Sequence, residues 1–390
     1  MRKFLFDLLY TLAAALLYAV SLPVLFLFAF KKKYRESLPA RFFGVKNPPF
    51  VPHDIWFHVC SLGEAKAIAP VIERLGEKRL AISVITHTGF EAASKYAAQV
   101  RYLPYEIWLW FWIERPKTLV VLEAEFWYLL FRLARKRGAR VVALNARISD
   151  RSFPKYYRMR WFYRLLLGEC DRIFCQSGED MARFIALGAK NVEVVGNIKL
   201  AQKIAATKHY PKPGGTLIVA ASTHEGEEEE ILRAFAAYRI HNPSARLLVV
   251  PRHPERFGKV ADLIGTVVPK MELARWSQTH SIGPDITLID AMGELNNLYA
   301  ISDVAILGGA FRPIGGHNPL EPATFGCKII TGTEIFLQRE LFKYVSHVQF
   351  VDPDGIESAL VNAQSMPPSQ IEGTVDLERV IEFLKTEKQP

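Results

Sequence analysis

Short runs of β-branched and apolar residues recur along the chain, and the segments between them have helical spacing of apolar positions. The first half contains such runs at residues 54–61, 80–87, 118–125, 140–146, 172–176 and 192–197. The second half contains them at 216–222, 246–252, 286–290, 304–310 and 328–332. Strands that alternate with helices indicate parallel sheets. The segment "KHYPKPGG", residues 208–215, separates the two series. The pattern therefore predicts an α/β protein with two Rossmann-like domains facing a cleft.

The N-terminal segment does not follow this alternation, because residues 8–30 form a run of 23 residues without a charge. A membrane-spanning helix needs about 20 apolar residues, whereas the apolar region of a cleaved signal peptide has about 7–15. No small-x-small cleavage site follows the run; the basic block "KKKYR", residues 31–35, does. By the positive-inside rule this block predicts that the globular part faces the cytoplasm. Pro23 leaves open a helix that lies in one leaflet. The predicted parts are a membrane anchor at 1–30 and two α/β domains at 31–207 and 208–390.

Composition adds two constraints. The four cysteines have no C-x-x-C spacing, which argues against a disulfide framework or a zinc site. The net charge of +9 suggests an anionic partner such as lipid headgroups, phosphates or nucleic acid, although simple solubility explains it equally well. Residues 147–164 combine basic and aromatic side chains, and residues 105–112 are dense in Trp and Phe. Both segments suit a membrane interface; an aromatic core helix is the alternative for 105–112, and RNA could bind the same residues.

Ligands in doubly wound sheets bind beyond the carboxyl ends of the strands, so the strand ends are where chemistry is expected. In the first half, "SLGE" places Glu64 at the start of a helix, where Ser61 and Glu64 also match a capping box. The segment "THTG", residues 86–89, supplies hydroxyl groups. "LEAEFW" is predicted to place Glu123 and Glu125 on one face of a strand end, and a carboxylate there can act as a general base.

The strand ends of the second half have a different character. "STHEGEEEE", residues 222–230, offers hydroxyl and backbone N–H groups that suit a phosphate, while its acidic run can simply complement the helix dipole on a solvated face. "PRHPER", residues 251–256, offers cations for a phosphate or a carboxylate, or is a stiff surface loop. "DAMGEL", residues 290–295, and "GGHNPLEPA", residues 315–323, follow later strands. Asp352-Pro353-Asp354, an acid pair with D-x-D spacing, is interpreted as a turn rather than a metal site.

The chain resembles the bacterial lipopolysaccharide Kdo transferases, the 3-deoxy-D-manno-octulosonic acid transferases. The resemblance runs nearly end to end and in order through the anchor and the motifs "SLGE", "THTG", "LEAEFW", "LNARIS", "STHEGEE", "PRHPERF", "MGEL", "SDVAILGG" and "GGHNPLEPA". It implies a GT-B glycosyltransferase of the inner membrane that moves Kdo from CMP-Kdo to the phosphorylated lipid A precursor. It implies no cofactor, no metal and no nucleic-acid partner. The 31–207 domain would then receive the acceptor and the 208–390 domain the CMP-Kdo donor.

The same resemblance assigns roles to individual residues. The catalytic residues would be Glu64, as the general base, with Glu123 and Glu125. The donor would be bound by Ser222, Thr223, His224, Arg252, His253, Arg275, Gly293, Gly315, Gly316, Asn318 and Glu321, of which Glu321 would hold the CMP ribose. The acceptor would be bound by Ser61, Gly63, Thr86, Thr88 and Arg147. Two alternatives stay open: a GT-B transferase that uses a UDP-sugar, and a non-catalytic membrane-anchored protein that binds lipid or nucleotide sugar.

Overall fold

The computed structural model describes residues 2–31, 34–76, 79–97 and 99–386, so Lys32 and Lys33 of the basic block lie outside the described residues. The chain divides into two compact units. The first runs from the start of the chain to Gln202 and includes the C-terminal segment from Thr374 onward. The second is Lys203–Gly373.

The first unit contains a seven-stranded parallel sheet in the order β3-β2-β1-β4-β5-β6-β7. Its strands are β1 (Ile55–Val59), β2 (Leu80–Val84), β3 (Gln99–Tyr102), β4 (Thr118–Leu122), β5 (Arg140–Ala146), β6 (Arg172–Cys175) and β7 (Val192–Val194). The central strands β1, β4 and β5 are buried along their whole length, because helices cover both faces of the sheet. The predicted parallel α/β architecture is confirmed for this half.

The helices of the first unit precede, connect and cover these strands. They are α1 (Arg2–Ala29), α2 (Ser37–Phe43), α3 (Leu62–Ala67), α4 (Ala69–Leu75), α5 (His87–Ala93), α6 (Leu109–Trp112), α7 (Tyr128–Lys136), α8 (Phe153–Arg158), α9 (Arg160–Leu167) and α10 (Gly178–Ala186), with 3₁₀ helices at Glu106–Trp108 and Ile198–Ala201. Two apolar clusters lie on the two sides of the sheet, one around Trp56 and Phe131 and the other around Phe57 and Phe174.

The second unit repeats the plan with the strand order β10-β11-β9-β8-β12-β13-β15, again all parallel. Its strands are β8 (Leu217–Thr223), β9 (Arg246–Pro251), β10 (Leu273–Arg275), β11 (Ile286–Leu288), β12 (Val304–Leu307), β13 (Lys328–Thr331) and β15 (Val348–Phe350). A small antiparallel pair joins β14 (Val345–Ser346) to β16 (Gln370–Ile371). The helices are α11 (Glu228–His241), α12 (Phe257–Val267), α13 (Trp276–Thr279), α14 (Leu295–Tyr299), α15 (Leu320–Thr324), α16 (Arg339–Phe342) and α17 (Ile356–Asn362), with 3₁₀ helices at Pro254–Arg256 and Pro353–Gly355.

The last helix, α18 (Leu377–Lys385), returns to the first unit, whereas the sequence placed all of 208–390 in the second domain. Its apolar face, which includes Leu377 and Ile381, joins the core beside β1 and β4. Arg140 on β5 donates hydrogen bonds to the carbonyl oxygens of Phe383 and Leu384, at 2.9 and 3.2 Å. These bonds satisfy carbonyl groups of the last helical turn, which have no partner inside the helix.

Among the described residues, one helix is long and apolar enough to cross a membrane, and it is the segment Lys3–Ala29 of α1. This assignment rests on the length and the composition of the helix. A core helix of a soluble protein or a signal sequence can have the same length and composition. Helix α1 is also attached to the first unit by side-chain contacts, for example from Tyr10 to Glu106 at 2.7 Å. The predicted segment 1–30 therefore packs in part against the domain that follows it.

Candidate active site

Glu64 lies in the first turn of α3, directly after β1, and it is almost completely buried. Its carboxylate accepts hydrogen bonds from the Cys60 N–H at 2.8 Å and from the Ser61 hydroxyl at 3.3 Å. The capping-box interpretation is thus half realised: Glu64 reaches back to a backbone N–H, but the Ser61 side chain accepts no capping bond. Burial and the neighbouring Glu123 raise the pKa of Glu64 to about 7. A carboxyl group with such a pKa can take up a proton near neutral pH.

Glu123 follows β4, but the strand ends at Leu122, so strand alternation does not place it on a common face with Glu125. The expectation of a shared strand face is wrong, because Glu123 has φ +52°. A non-glycine residue in this left-handed conformation is uncommon and is often found at functional sites. Two cations hold its carboxylate: Lys199 Nζ at 2.6 Å and Arg147 Nε at 3.5 Å.

Glu125 lies two residues further on and accepts a hydrogen bond from the indole N–H of Trp127 at 2.8 Å. It also acts electrostatically on its neighbours. Burial, Glu125 and Glu64 together raise the pKa of the Cys60 thiol to about 12, and Glu125 is among the groups that raise the pKa of Glu64. The three predicted carboxylates are therefore brought together around the ends of β1 and β4.

The predicted acceptor residues lie at neighbouring strand ends of the same unit. Ser61 precedes α3 and Gly63 lies within its first turn. Thr86 caps α5: its hydroxyl accepts from Gly89 N–H at 3.2 Å and donates to the Cys60 carbonyl at 3.1 Å. Thr88 is exposed on α5, and Arg147 follows β5. The Thr86–Cys60 bonds link the ends of β1 and β2, so most of these residues surround one rim of the sheet.

Lys199 is a site residue that the sequence interpretation missed. It lies in the 3₁₀ helix after β7, and besides binding Glu123 it lowers the pKa of Glu64 through its charge. The turn that holds it is specific: the side chain of Asn197 accepts from Lys199 N–H at 3.0 Å, and that of Asn145 accepts from Ile198 N–H at 3.0 Å. The asparagines in "VALNAR" and "VVGNIK" are the sequence signal that could have indicated this turn.

In the second unit, the end of β8 carries Ser222, Thr223 and His224. Ser222 has φ +56° at a register shift between β8 and β9, so its backbone is in a strained conformation. Thr223 is fully buried and its hydroxyl donates to Glu228 at 3.0 Å. This hydrogen bond already uses the proton of the Thr223 hydroxyl. Ser222 and His224 flank Thr223 at the end of the strand.

The acidic run of this loop is not a solvated face, because Glu227 and Glu228 are buried. Glu227 accepts hydrogen bonds from the backbone N–H groups of His224 and Gly309, both at 2.9 Å, and of Phe311 at 3.0 Å. Glu228 pairs with Arg256 at 2.6 Å. Glu227 therefore fixes the loop after β8 to the glycine loop after β12, a structural role that the helix-dipole interpretation did not include.

Three histidines gather where these loops meet. The rings of His224 and His317 are stacked with centroids 5.7 Å apart, and His253 packs edge-on against His224 at 5.3 Å. Burial and the nearby His224, Arg252 and His253 lower the pKa of His317 to about 4. Burial and His253 likewise lower the pKa of His224. An imidazole with such a lowered pKa is neutral near pH 7, so the positive charge at this place comes from Arg252, and the rings can offer N–H donors to an anion. His317 was not named from the sequence, although it lies within "GGHNPLEPA".

Arg275 ends β10 and contacts Asp290 through two nitrogen atoms, Nε and an NH2 group, both at 3.0 Å. Asp290 in turn accepts from the Ser277 N–H at 2.7 Å. Gly293, with φ +85°, lies in the turn before α14. Arg275 and Gly293 thus lie at the ends of β10 and β11, and they form a second set of predicted donor residues besides those of the histidine loops.

The stretch "GGHNPLEPA" forms a tight loop that enters α15. Gly315 has φ +117°, and a Cβ atom there would lie 2.4 Å from the Leu337 side chain, so any other residue would be strained and would force Leu337 to move. The N–H groups of Gly315 and Gly316 donate to the Gly309 carbonyl at 3.0 and 2.7 Å. Asn318 accepts from Leu320 N–H at 3.1 Å and donates to Glu321 at 3.4 Å. The amide of Asn318 therefore orients the Glu321 carboxylate, which lies in the first turn of α15.

No group of three or more His, Cys, Asp or Glu side chains is arranged to hold a metal ion within residues 2–31, 34–76, 79–97 and 99–386. The Asp352-Pro353-Asp354 stretch starts the short 3₁₀ helix Pro353–Gly355.

Sequence comparison shows to which protein family the chain belongs. A family model described as "3-Deoxy-D-manno-octulosonic-acid transferase (kdotransferase)" matches residues 33–202. A 3-deoxy-D-manno-octulosonic acid transferase of Haemophilus influenzae is 33% identical over 345 residues, which cover 82% of this chain and 80% of that protein. The chain belongs to the Kdo transferase family. A Bordetella pertussis protein of the same name is 31% identical over 327 residues, 76% of each chain. As a member of this family, the chain is a glycosyltransferase.

Solved structures of lower identity support the fold alone. The UDP-GlcNAc 2-epimerase from Neisseria meningitidis, solved with UDP-GlcNAc bound, superposes with a TM-score of 0.53 at 12% identity and covers 86% of this chain and 94% of that one. A UDP co-structure of S. aureus MnaA gives the same TM-score and identity, with coverage of 86% and 96%. Together with the two parallel sheets, these matches confirm the GT-B fold class.

Proposed function

We propose that this family member is an inverting glycosyltransferase that moves Kdo from CMP-Kdo to the phosphorylated lipid A precursor in lipopolysaccharide core synthesis. Family membership supports the transferred sugar. The observation that carries the chemistry is the buried Glu64 carboxyl, which two hydrogen-bond donors hold at the end of β1 and whose pKa is raised to about 7.

The reaction is a displacement at the anomeric carbon of Kdo. The acceptor hydroxyl attacks this carbon while the bond to the CMP phosphate breaks, and the hydroxyl proton passes to the ionised Glu64. A base is most effective when its pKa is near the working pH, because it is then largely ionised and still basic. Glu123, held between Lys199 and Arg147, lies near Glu64, raises the pKa of Glu64 and so favours proton uptake there. The charge of Glu125 also raises the pKa of Glu64.

The second unit is proposed to bind the donor. Arg252 supplies a cation, and His253, His224 and the hydroxyl of Ser222 supply hydrogen-bonding groups, so together they suit the CMP phosphate or the Kdo carboxylate. Cations close to the departing phosphate also stabilise the charge that develops on it. The backbone of Gly315 and Gly316 would approach the donor.

Glu321, oriented by Asn318, is proposed to accept hydrogen bonds from the ribose hydroxyls. Three further residues are proposed to contact the donor, namely Thr223, Arg275 and Gly293. We expect their substitution to reduce CMP affinity less, since Thr223 and Arg275 already bind acidic side chains.

The acceptor side is assigned to the first unit. Ser61, Gly63, Thr86, Thr88 and Arg147 are proposed to surround the sugar that receives Kdo. The exposed aromatic residues Trp161 and Phe111 lie in the two segments that the sequence analysis connected with a membrane interface. We place the enzyme on the bacterial inner membrane with its domains facing the cytoplasm, in contact with membrane lipids, without a cofactor, a metal or a nucleic-acid partner.

A direct test is titration of the purified protein with CMP and with UDP by calorimetry. We expect CMP to bind and UDP to bind at least about tenfold more weakly. Preferential binding of UDP would favour the alternative, a GT-B transferase that uses a UDP-sugar. Binding of CMP without any turnover of CMP-Kdo on a lipid acceptor would favour a non-catalytic binding protein.

A further inference from the structure

Helix α1 is apolar all round, yet its faces have different surroundings. Most of its apolar side chains are strongly exposed, among them Phe4, Leu9, Leu16, Val20 and Leu27. The opposite face, at positions 7, 10, 14 and 18, is buried or half-buried against the first unit. The spacing of these four positions is that of one side of a helix. One side of α1 therefore packs on the protein and the other is left without a protein partner.

The first contact of this packed side is ionic. Asp7, a buried acid inside the apolar helix, accepts hydrogen bonds from the Tyr128 hydroxyl at 2.6 Å and from Arg132 at 3.0 Å. Four residues earlier, Lys3 pairs with the buried Glu169 at 2.5 Å. An acid in a lipid-facing helix is costly, whereas one that pairs with residues of a folded domain is stabilised by that domain. The sequence of α1 is thus adapted to lie against this domain.

Further contacts follow along the helix. The Tyr10 hydroxyl donates to Glu106 at 2.7 Å, and Glu106 also accepts from Leu129 N–H at 2.8 Å. The Tyr105 hydroxyl donates to the Ala14 carbonyl at 3.3 Å. The Tyr18 ring stacks on Tyr105 at 5.5 Å, and its hydroxyl donates to the carbonyl of Phe42. The helix is attached to the domain from Lys3 to Tyr18.

These attachments conflict with a transmembrane path. A helix that crosses the hydrocarbon core needs about 20 residues clear of the aqueous domain. Beyond Tyr18 the helix has only the residues 19–29, which span about 17 Å at 1.5 Å per residue. Even this end is not clear of the domain, because Phe26 and Phe30 line a groove together with Phe43 and Phe90. The hydrocarbon core is about 30 Å thick, so the free part of α1 is too short.

The surroundings of α1 indicate what covers its exposed side. Trp161 packs edge-on against Phe6 at 5.9 Å, and Trp108 against Tyr18 at 6.2 Å, while both indoles stay 57% and 41% exposed. Tryptophan at the rim of an apolar surface is typical of the membrane–water boundary. Arg158 and Arg160, next to Trp161, are exposed and suit anionic headgroups.

We propose that α1 does not span the bilayer but lies in its plane, within the leaflet that faces the two domains. Its exposed apolar side contacts the acyl chains and its packed side is the first unit, so that both ends of the helix stay on the side of the domains. This position explains why α1 has apolar residues on both sides, because one side contacts the protein core and the other contacts lipid. This topology adds to the proposed activity and does not depend on it.

The topology can be measured with the full-length chain in bacterial membranes. Protease-cleavable epitope tags are placed at the N-terminus of one version and at the C-terminus of another. Intact spheroplasts expose only the outer side of the membrane, and inverted vesicles expose only the cytoplasmic side. We expect both tags to be protected in spheroplasts and cleaved in inverted vesicles. Cleavage of the N-terminal tag in intact spheroplasts, with the C-terminal tag protected, would show a spanning helix and overturn the proposal.

A second test addresses the ionic contact. In Asp7→Ala, Arg132 loses its nearest acidic partner, and loss of one member of a buried pair is strongly destabilising. We expect the melting temperature of the detergent-solubilised protein to fall by at least about 5 °C. Ser21→Ala, which removes only a bond to Tyr18 within the same helix, is the control and should shift it by less than about 1 °C. The double variant Asp7→Ala/Arg132→Met should recover part of the loss, since the charge of Arg132 is removed together with that of Asp7, while Glu169, which also pairs with Arg132 at 3.6 Å, keeps its pair with Lys3. An unchanged melting temperature in Asp7→Ala would show that α1 is not seated on the domain.

Discussion

The strand ends of the two units have opposite electrostatic character although the two sheets have the same plan. In the first unit, Glu64, Glu123 and Glu125 gather, and the pKa of Glu64 is raised. In the second, His224, His253 and His317 gather with Arg252, and the pKa of His317 is lowered to about 4. Burial is the largest cause of both shifts, and neighbouring groups of like charge add to it. We infer that the first group favours uptake of a proton and that the second, which includes Arg252, favours binding of an anion, in keeping with the proposed roles of the two units.

The largest effect is expected from Glu64→Gln. The change keeps the shape of the side chain but removes the base, which typically costs about 10²–10⁴-fold in rate. CMP affinity should stay unchanged, because the proposed donor residues lie in the second unit. Turnover of CMP-Kdo and CMP titration are the measurements, with Glu91→Gln, an exposed acid of the same unit, as the control. Near-normal turnover would transfer the role of base to Glu123 or Glu125.

The complementary change on the donor side is Glu321→Ala. Loss of charge-assisted hydrogen bonds to the ribose is worth roughly 1.5–3 kcal/mol, so CMP affinity should fall about 10–150-fold. Co-sedimentation with liposomes should not change. Glu340→Ala, which removes an acid that pairs with Lys343 three residues along the chain, serves as the control. If CMP binds Glu321→Ala as tightly as the unaltered protein, "GGHNPLEPA" is a structural loop and not a ribose site.

The pH dependence tests the first group, and a moderate effect is expected. Only the ionised form of Glu64 can accept a proton, so turnover should rise about tenfold between pH 6 and pH 8 and then level off. Stability should move the other way. The folded state retains a proton on Glu64 up to about pH 7, whereas the unfolded chain releases it near its ordinary value of 4.5, so Glu64 disfavours folding increasingly as the pH rises through this window. Glu64→Gln should therefore be more stable than the unaltered protein at pH 8, on the order of 1 kcal/mol, and not at pH 4. A flat pH profile of turnover would contradict the assignment.

The smallest effect is expected from Lys199→Met. Lys199 lowers the pKa of Glu64, so its removal should move the midpoint of the pH profile of turnover to higher pH and reduce turnover at pH 7 a few-fold. Above the new midpoint turnover should recover, which a merely structural defect would not show. Lys95→Met, an exposed lysine of the same unit, is the control. A shift to lower pH would mean that Lys199 acts through Glu123 in another way.

The sheets could be predicted because their strands are buried on both faces, and such strands are continuous apolar runs. All the predicted runs contain strands of the structure, usually shorter by one to three residues. The short strands β3, Gln99–Tyr102, and β10, Leu273–Arg275, were not among the predicted runs. Strand β3 is not a continuous apolar run, because Gln99 and Arg101 interrupt it.

The resemblance, and not the local pattern, assigned Glu64 and Asn318 to the proposed site. From local sequence, the position of Glu64 at the start of a helix was recognisable, with a capping box as the competing interpretation. The conformation of Glu123 was not, because φ +52° depends on the tertiary contacts of the loop and not on alternation. Glu227 looks like one acid among four, and only the approach of Gly309 and Phe311 from a distant strand shows that it is buried. Lys199 lies 76 residues from Glu123, a separation that no local pattern bridges.

The most direct test of the central claim is incubation of the full-length protein with CMP-Kdo and the lipid A precursor, followed by mass spectrometry of the lipid. The account predicts a lipid product heavier by one or more Kdo residues, formed by the unaltered protein and lost in Glu64→Gln, while both proteins bind CMP. An unchanged lipid mass with unaltered protein that is folded and binds CMP would contradict it. A product formed from a UDP-sugar instead of CMP-Kdo would contradict it equally.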